Sequence, residues 1–427
     1  MTLTGIISAI GNNNSIYPLL VRDCGIEIPT KVILTKKQNK NDKDVQKLAT
    51  RERLVDEYTT SAVWLGGIPL LEKINKNIIR KKGFNPEIDV KLLKNAEKST
   101  EAVQGLDFNI KKFKNLAPDA VKDLEFLKNN KSKYMKLLGG KVFSETAIPI
   151  ALMGFIIPKL IFAWTAKTKR EIAKKKAESR AKNLQNLNFG TSEFKTLEAF
   201  KAKNLSFKGN LISSMAEMST VQKMAATDGG YAVGRVLTER NSNAAIDVGF
   251  KMAGMMFLNF VFPNMLAKFL DTTTGKLINT NLKLDIKMLA DEEFINSIKN
   301  NALNLPRVKT EKELLDFVDK NPKNLFVQYA NKYKKIKLLE NGVRDQRSYV
   351  DLKGLKEFRD NIAEISEKAL KSNDVTKFMQ KAKRLKGANI LANVGISSFL
   401  LAYALPKTQF ALRKLILKSE LEPGIAE

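Results

Sequence analysis

Two glycine-rich stretches come nearest to a site with recognisable chemistry, a phosphate-binding loop. They are TDGGYAVGR at 227–235 and DTTTGK at 271–276. Such a loop needs the pattern Gly-x4-Gly-Lys-Ser/Thr between a strand and a helix. The first stretch lacks the lysine and the hydroxyl residue, and the second lacks the first glycine and the hydroxyl residue. Both stretches are therefore predicted to be turns or helix caps.

Residues for acid–base or metal chemistry are scarce. Histidine, the commonest general base and metal ligand, is absent from all 427 residues. The single cysteine, Cys24, has no partner for a disulfide or a paired-cysteine metal site, and it is predicted to be a small buried residue. Asp291, Glu292 and Glu293 fit the first turn of a helix, where they complement its dipole. The sequence therefore predicts a non-enzymatic protein without a cofactor or a metal ion.

The charge balance indicates an acidic partner. The formal net charge is +28 at pH 7, from 73 Lys and Arg against 45 Asp and Glu. Nucleic acid and an anionic membrane leaflet are the two usual partners of so basic a chain. The basic residues are spread along nearly every predicted helix, and no recognised nucleic-acid-reading module is visible. Anionic membrane lipid is therefore the predicted partner, without specific nucleic-acid binding; protein partners or a homo-oligomer stay open.

Four apolar stretches interrupt a pattern that otherwise predicts amphipathic helices. They cover 59–71, 146–166, 248–270 and 388–406. A helix that spans a bilayer needs about 20 mostly apolar residues, so the last three are long enough and the first is too short alone. The alternative is that all four are core helices of a soluble basic binding protein. The predicted fold is mostly α-helical, a multi-helix integral membrane protein with water-exposed helical domains, in the cytoplasmic membrane if the protein is bacterial.

Prolines and basic residues mark these stretches. Pro69, Pro158, Pro263 and Pro406 each predict a kink or a helix end, because proline lacks a backbone N–H and crowds the carbonyl four residues before it. Lysines follow two of these prolines, and a basic cluster follows the second stretch. The cluster is either a lipid anchor or a solvated helix face. The predicted contacts to lipid headgroups or another anion are Lys159, Lys407, Lys167, Lys169, Arg170, Lys174, Lys175 and Lys176.

Three short sequence matches occur in the same order in two parts of the chain. IPKLIFA at 157–163 matches LPKTQFA at 405–411, EIDVKLLK at 87–94 matches KLDIKMLA at 283–290, and LEFLKNNK at 124–131 matches LDFVDKNPK at 315–323. Three matches in one order predict an internal duplication. The alternating residues of the second pair fit either an edge strand or the first turn of a helix.

The duplication predicts how the chain is divided. Half one covers 52–166, with a first apolar helix, a helical domain at 79–145 and a second apolar helix at 146–166. Half two covers 248–411, with apolar helices at 248–270 and 388–406 on either side of a helical domain at 271–387. The remaining parts are an N-terminal region at 1–51, a basic connecting segment at 167–247 and a basic-to-acidic tail at 412–427.

The distribution of basic residues does not fix an orientation. With four crossings, one side receives 16 Lys and Arg near the ends of the stretches and the other receives 15, whereas multi-pass proteins usually show an excess on the inner side. Four crossings are favoured, with the chain ends and 167–247 inside. The alternative is that the apolar helices do not cross, and that all basic flanks face one leaflet.

The functional prediction is a non-enzymatic membrane protein that scaffolds the membrane or engages anionic lipid through its basic faces. The alternative is a transporter or channel of two similar halves, in which Lys159 and Lys407 line a path or bind an anion. Transport ranks second because proton or cation coupling needs inward-facing acids, and the apolar stretches contain none.

Overall fold

Helices dominate the structure, a computed structural model that describes residues 2–12, 15–93, 104–181, 215–308 and 310–418. The protein is 80% helical, and the described residues form no strand. An isolated antiparallel bridge between Leu338 and Arg344 is the β-type pairing found in these ranges. The mostly α-helical class is thus confirmed.

Six long helices, called bundle helices 1 to 6, pack side by side. Five of them consist of an α-helix, one π-helical turn and a second α-helix in direct succession. Bundle helix 4 is a single α-helix, Thr220–Thr238. The components of the others are Tyr17–Leu20, Val21–Glu27 and Ile28–Gln38 (bundle helix 1), Lys43–Ser61, Ala62–Gly67 and Ile68–Lys81 (2), Lys131–Ala151, Leu152–Ile156 and Ile157–Ala181 (3), Ser242–Met256, Phe257–Val261 and Phe262–Gly275 (5), and Val375–Phe399, Leu400–Ala404 and Leu405–Leu417 (6).

A proline accompanies each π turn. Pro29, Pro69, Pro158, Pro263 and Pro406 each lie two residues after the last residue of such a turn. Proline donates no hydrogen bond, and its ring crowds the carbonyl four residues earlier. A π turn holds one extra residue, so it relieves this crowding locally. The helices therefore continue through the four prolines at which the sequence predicted a kink or an end.

The bundle helices run between two ends of the bundle. Bundle helices 2 and 5 run towards the end that carries two helical domains, called the domain end. The others run towards the opposite end, called the basic end, which includes residues 39–42, 167–181 and 239–241. Asn75 of bundle helix 2 donates to Ser144 of bundle helix 3 at 2.8 Å near the domain end. Arg51 donates to Thr168 at 3.0 Å near the basic end, so these two helices are antiparallel.

Bundle helix 4 joins the two ends. Thr220 at its start donates to Glu72 near the domain end at 3.1 Å, and Arg240, just beyond its last residue, donates to Glu52 near the basic end at 2.6 Å. Residues 167–181 continue bundle helix 3 at the basic end. The described parts of the segment 167–247, residues 167–181 and 215–247, thus reach both ends, which differs from the expected one-sided arrangement, because bundle helix 4 packs lengthwise on bundle helix 3.

The glycine-rich stretch 227–235 lies within bundle helix 4, so its prediction as a turn or cap was wrong. Gly234 is needed for packing rather than for a turn, since it touches the backbone of Gly154. The second stretch, 271–276, does end a helix: Phe262–Gly275 is followed by a 3-10 turn, Lys276–Ile278.

Two helical domains cover the domain end. Their buried apolar cores are separate, one around Leu124 and Leu127 and the other around Phe294, Phe326 and Ile362. The first domain contains the 3-10 turn Val90–Leu93 and helices Leu106–Phe113 and Pro118–Asn129. The second contains helices Ile286–Leu289, Glu292–Lys299, Glu311–Lys320, Leu325–Lys332 and Leu352–Leu370, and the N-terminal helix Leu3–Gly11 packs beside it. As predicted, Glu292 and Glu293 occupy the first turn of their helix, and Asp291 caps it.

Polar contacts hold the two domains together. Gln104 and Val350 exchange hydrogen bonds in both directions, at 2.8 and 2.7 Å. Asp319 of the second domain accepts from Lys112 of the first domain at 2.8 Å and from Arg344 of its own domain at 2.8 Å. These contacts join the two helical domains outside the bundle.

Arg347 makes a further link between the domains. Its guanidinium donates to Asp345 at 2.8 Å and to Asp123 of the first domain at 3.0 Å. Burial disfavours the ionised form of Asp345, but hydrogen bonds from Arg347 and Lys337 outweigh it and lower the pKa of Asp345 below its usual value. The carboxylate therefore stays charged and keeps this link intact at neutral pH.

The matched sequences at 87–94 and 283–290 each form one helical turn in their described residues, a 3-10 turn in the first and an α-helical turn in the second. Asp89 accepts from the N–H of Lys91 at 3.0 Å, and Asp285 accepts from the N–H of Lys287 at 2.7 Å. Each aspartate thereby begins a helical turn, Val90–Leu93 in the first case and Ile286–Leu289 in the second. Of the two structures that the sequence left open, the helical turn is correct.

The third matched pair also shares its local structure. The side chain of Asn130 donates to the carbonyl of Phe126 at 3.0 Å, and that of Asn321 donates to the carbonyl of Phe317 at 2.9 Å. Each asparagine follows its phenylalanine by four residues and closes the end of a helix. A duplication would produce such caps at matching positions of the two copies.

Gly154 and Gly234 generate a prediction about helix packing. A Cβ on Gly234 would lie 2.9 Å from the Cα of Gly154, whereas a Cβ on Gly140 of bundle helix 3 would meet nothing within 4 Å. We expect Gly234→Ala to destabilise the protein by about 1–3 kcal/mol through overpacking. The control Gly140→Ala should stabilise it by up to about 1 kcal/mol, since alanine favours helix. Thermal unfolding in detergent measures both, and shifts of the same sign would contradict the close approach.

Candidate functional site: a charged network inside the bundle

The bundle is charged inside. Twelve charged side chains of the described bundle helices are buried, six acidic and six basic. They are Arg22, Asp23, Glu27, Lys31, Asp56, Glu57, Glu145, Lys223, Arg235, Asp247, Lys251 and Arg413. Lys, Glu, Arg and Asp are almost never fully buried unless they are paired, so equal numbers of the two signs are a requirement of this interior.

The outer surface of the bundle is apolar. On bundle helix 3, exposed large apolar side chains run from Phe143, through Ile148, Ile156 and Leu160, to Trp164. At 1.5 Å per residue this range is about 32 Å long, close to the roughly 30 Å of a bilayer core. Bundle helix 5 is similar, for example at Phe257, Val261, Met265 and Phe269.

Within the described parts of the chain, three helices are long and apolar enough to cross a membrane. They cover Lys131–Glu178, Ser242–Ile278 and Val375–Ile416, within or around bundle helices 3, 5 and 6. They contain the three stretches that the sequence identified as long enough. The fourth stretch, 59–71, lies in bundle helix 2, which shares the bundle but does not meet the same criterion of length and composition.

Bundle helices 2 and 5 meet through ion pairs at the centre. Glu57 accepts a hydrogen bond from Lys251 at 2.6 Å, and its other oxygen lies 3.7 Å from Lys31 of bundle helix 1. Glu57 lies 12 residues before Pro69, and Lys251 lies 12 residues before Pro263. The pair therefore joins equivalent positions of two similar helices with opposite charges.

Two further pairs attach the neighbouring helices. Arg235 of bundle helix 4 donates to both oxygens of Asp56 on bundle helix 2, at 3.4 and 3.0 Å. Asp247 of bundle helix 5 accepts from Arg413 of bundle helix 6 at 3.1 and 2.7 Å, and from Gln409 at 2.8 Å. Two-pronged contacts between arginine and carboxylate fix orientation as well as distance, so these pairs set how the helices face one another.

A cavity of about 40 Å³ lies within the network. A water molecule needs roughly 10–15 Å³ of such space, so the cavity admits two or three waters or one small inorganic ion. Its charged lining comes from bundle helices 2, 4 and 5 and the turn between the last two. These side chains are Glu52, Arg53, Asp56, Arg235, Glu239, Arg240, Asp247 and Lys251.

An apolar layer closes the interior towards the domain end. The rings of Trp64 and Phe260 meet edge to face at 6.0 Å, and Met153 and Met224 pack in the same buried cluster as Trp64. Beyond this layer lies a second charged contact, in which Lys223 donates to Glu145 at 2.8 Å. The interior is therefore charged, apolar and charged again along its length.

The basic residues predicted from the sequence lie on the outside. Lys159 and Lys407 are exposed, and the ammonium of Lys407 lies 5.8 Å from the ring centre of Tyr403. Neither lines the interior. The cluster Lys167, Lys169, Arg170, Lys174, Lys175 and Lys176 is exposed on bundle helix 3 at the basic end, where Lys176 pairs with Asp44.

The interior acids escaped the sequence-based prediction because they lie outside the four apolar stretches. Asp23 and Glu27 belong to the N-terminal region, and Asp56 and Glu57 directly precede the first stretch. A usable signal was present: opposite charges four residues apart recur on bundle helices 1, 2, 4 and 5. These pairs are Glu27 and Lys31, Arg53 and Glu57, Arg235 and Glu239, and Asp247 and Lys251.

No known protein family, curated protein or solved structure matches this chain. Its function is therefore argued from the bundle and from the charged network.

The pair of Asp247 and Arg413 generates a prediction about coupling. Removal of one partner leaves a buried charge uncompensated, so Asp247→Asn or Arg413→Gln should each cost about 3–5 kcal/mol. The double variant should cost clearly less than the sum, as unfolding of the purified protein in detergent would show. The control is the exposed pair of Glu367 and Lys371, whose cycle should show no measurable coupling. If the cost of the double variant equals the sum of the costs of Asp247→Asn and Arg413→Gln, the two side chains do not act as a pair.

Proposed function

We propose that this chain is a multi-pass membrane protein of two similar halves that moves a proton or a small inorganic ion across the bilayer. The observation that carries the proposal is the balanced charged network inside an apolar outer surface. Ionisable residues at membrane depth are costly, and they usually mark ion pathways or proton relays.

The interior acids favour transport over scaffolding. Transport ranked second on the sequence because no acid was found in the apolar stretches, but six acids just outside those stretches or on bundle helix 1 are buried in the interior. A scaffold gains little from them, since burying ion pairs is often no better for stability than burying apolar residues. The cavity of about 40 Å³ limits the transported species to a proton or a small inorganic ion.

The arrangement of the halves suits a rocking motion. Bundle helices 2 and 5 run in one direction, and bundle helices 3 and 6 run in the other, so the proposed repeats are parallel rather than inverted. Some transporters consist of parallel repeats related by an axis along the membrane normal, and alternating access arises when one half rocks against the other. The contact between Glu57 and Lys251 lies where the two halves meet.

Ion flux into liposomes tests this function. We expect vesicles with the reconstituted protein to pass H⁺, Na⁺, K⁺ or Cl⁻, followed by an indicator for each ion, faster than protein-free vesicles. Arg235→Gln should abolish this flux, because it breaks the contact with Asp56 beside the cavity. The matched control Arg307→Gln changes an exposed arginine of the second domain and should leave the flux unchanged.

Two results would reject the proposal. One is a flux no greater than that of protein-free vesicles for all four ions. The other is complete release of the protein from the vesicles by alkaline carbonate, which would show that the bundle lies outside the bilayer.

Lipid engagement at the basic end is the second candidate function. Bundle helix 3 continues beyond the apolar range that ends at Trp164, and a shallow groove there is lined by Lys167, Arg170 and Lys174. These residues follow one face of the helix at intervals of three and four. We infer that this face binds the headgroups of an anionic leaflet, such as the inner face of a bacterial cytoplasmic membrane.

Binding of anionic lipid tests this second function. Each basic residue near an anionic surface contributes about 1 kcal/mol, so the triple variant Lys167→Gln, Arg170→Gln, Lys174→Gln should bind phosphatidylglycerol about 100-fold more weakly. The matched control replaces three exposed lysines of the second domain and bundle helix 6, Lys353, Lys371 and Lys377, by glutamine. The affinity of each variant for phosphatidylglycerol is measured in nanodiscs relative to its affinity for phosphatidylcholine. Equal relative affinities of the two variants would exclude the cluster as the lipid contact.

A further inference from the structure

A pair of carboxyl groups lies in the π turn of bundle helix 1. Asp23 and Glu27 are four residues apart, about one turn along the helix, and are 6% and 2% exposed. Among the described residues, no donor satisfies Oδ1 of Asp23 or Oε2 of Glu27. Buried polar atoms normally have partners, so these two unsatisfied acceptors require an explanation.

The groups that face this pair leave an excess of acid. Lys31, on the same helix, pairs with Oε1 of Glu27 and also lies 3.7 Å from Glu57. Arg22 attracts both carboxyl groups, and its own Nη1 is buried without a partner. Asp228 of bundle helix 4 adds a third carboxyl group that repels the pair. Two cations, one of them shared with Glu57, thus face three acids.

Two carboxylates one helical turn apart in a weakly polarisable interior repel each other, and this repulsion favours the uptake of one proton. One proton between them removes a charge and supplies the donor that the unsatisfied oxygens lack. We propose that Asp23 and Glu27 share a single proton and form the proton-binding site of the transport path, an inference that rests on the proposed function. In the binding step, one carboxylate takes up H⁺ from water and becomes a carboxylic acid that donates to the other.

Lys31 connects this site to the contact between the halves. When the proton leaves, the pair gains a negative charge and attracts Lys31 more strongly. Lys31 then moves away from Glu57. Glu57 also accepts a hydrogen bond from Lys251 of bundle helix 5 at 2.6 Å. The presence or absence of the proton therefore changes the strength of the ion pair between Glu57 and Lys251, which joins bundle helices 2 and 5.

Infrared spectroscopy of the purified protein tests for the shared proton. At pH 8, where exposed carboxyl groups are ionised, the wild type should show a carboxylic-acid C=O band that shifts in D₂O. Asp23→Asn and Glu27→Gln should each remove the signal of one carboxylic acid, because the remaining carboxylate pairs with the nearby cations. The double variant should remove no more than either single variant. The control Glu125→Gln, at an exposed site, should leave the band unchanged.

Other outcomes separate the site from the transport function. Absence of the band in the wild type overturns the site without any variant, and so does a loss in the double variant equal to the sum of the two single losses. A band that behaves as expected in a protein that passes no H⁺ in the liposome assay would support the shared proton and reject proton transport. Flux without the band would keep transport and reject the site.

Discussion

Charge pairing inside an apolar shell is the constraint on which this structure depends. An ion left unpaired in such an interior costs several kcal/mol, so a buried acid either meets a base from its own helix or a neighbour or gives up its charge by binding a proton. The contacts between Asp56 and Arg235, and between Asp247 and Arg413, fix the rotation and depth of bundle helices 2, 4, 5 and 6. The apolar shell only requires that these helices stay together, whereas the ion pairs decide how they are arranged.

The proline and π turns make this pairing possible along unbroken helices. A helix that ended at Pro69 or Pro263 would separate the ion pairs on the side of the basic end from the helical domains at the domain end. The π turn keeps the chain helical and leaves backbone carbonyls near the proline without an intrahelical donor. These segments are thus continuous helices that also contain unpaired backbone carbonyls. Membrane helices tolerate such carbonyls when neighbouring helices surround them.

Some of this structure could be predicted from sequence and some could not. Length and uniform hydrophobicity are local properties, so the stretches 146–166, 248–270 and 388–406 were identified correctly as long enough to span a bilayer. The helix start at Asp291, with Glu292 and Glu293 in the first turn, was also predicted correctly, because a single side chain sets it. Bundle helices 1 and 4 were missed because their polar residues face inwards, which gives them the appearance of soluble helices or turns. The π turns follow from packing around each proline, and no local pattern records that packing.

The shared direction of bundle helices 2 and 5, and of bundle helices 3 and 6, has a consequence for how the proposed duplication would have arisen. The series of bundle helices 1 to 3 begins at the domain end and finishes at the basic end, so a tandem copy joined directly would be upside down. An ancestor with its two termini on opposite faces could therefore have paired side by side with an identical copy, and gene fusion would have needed only a tether long enough to lead the chain back.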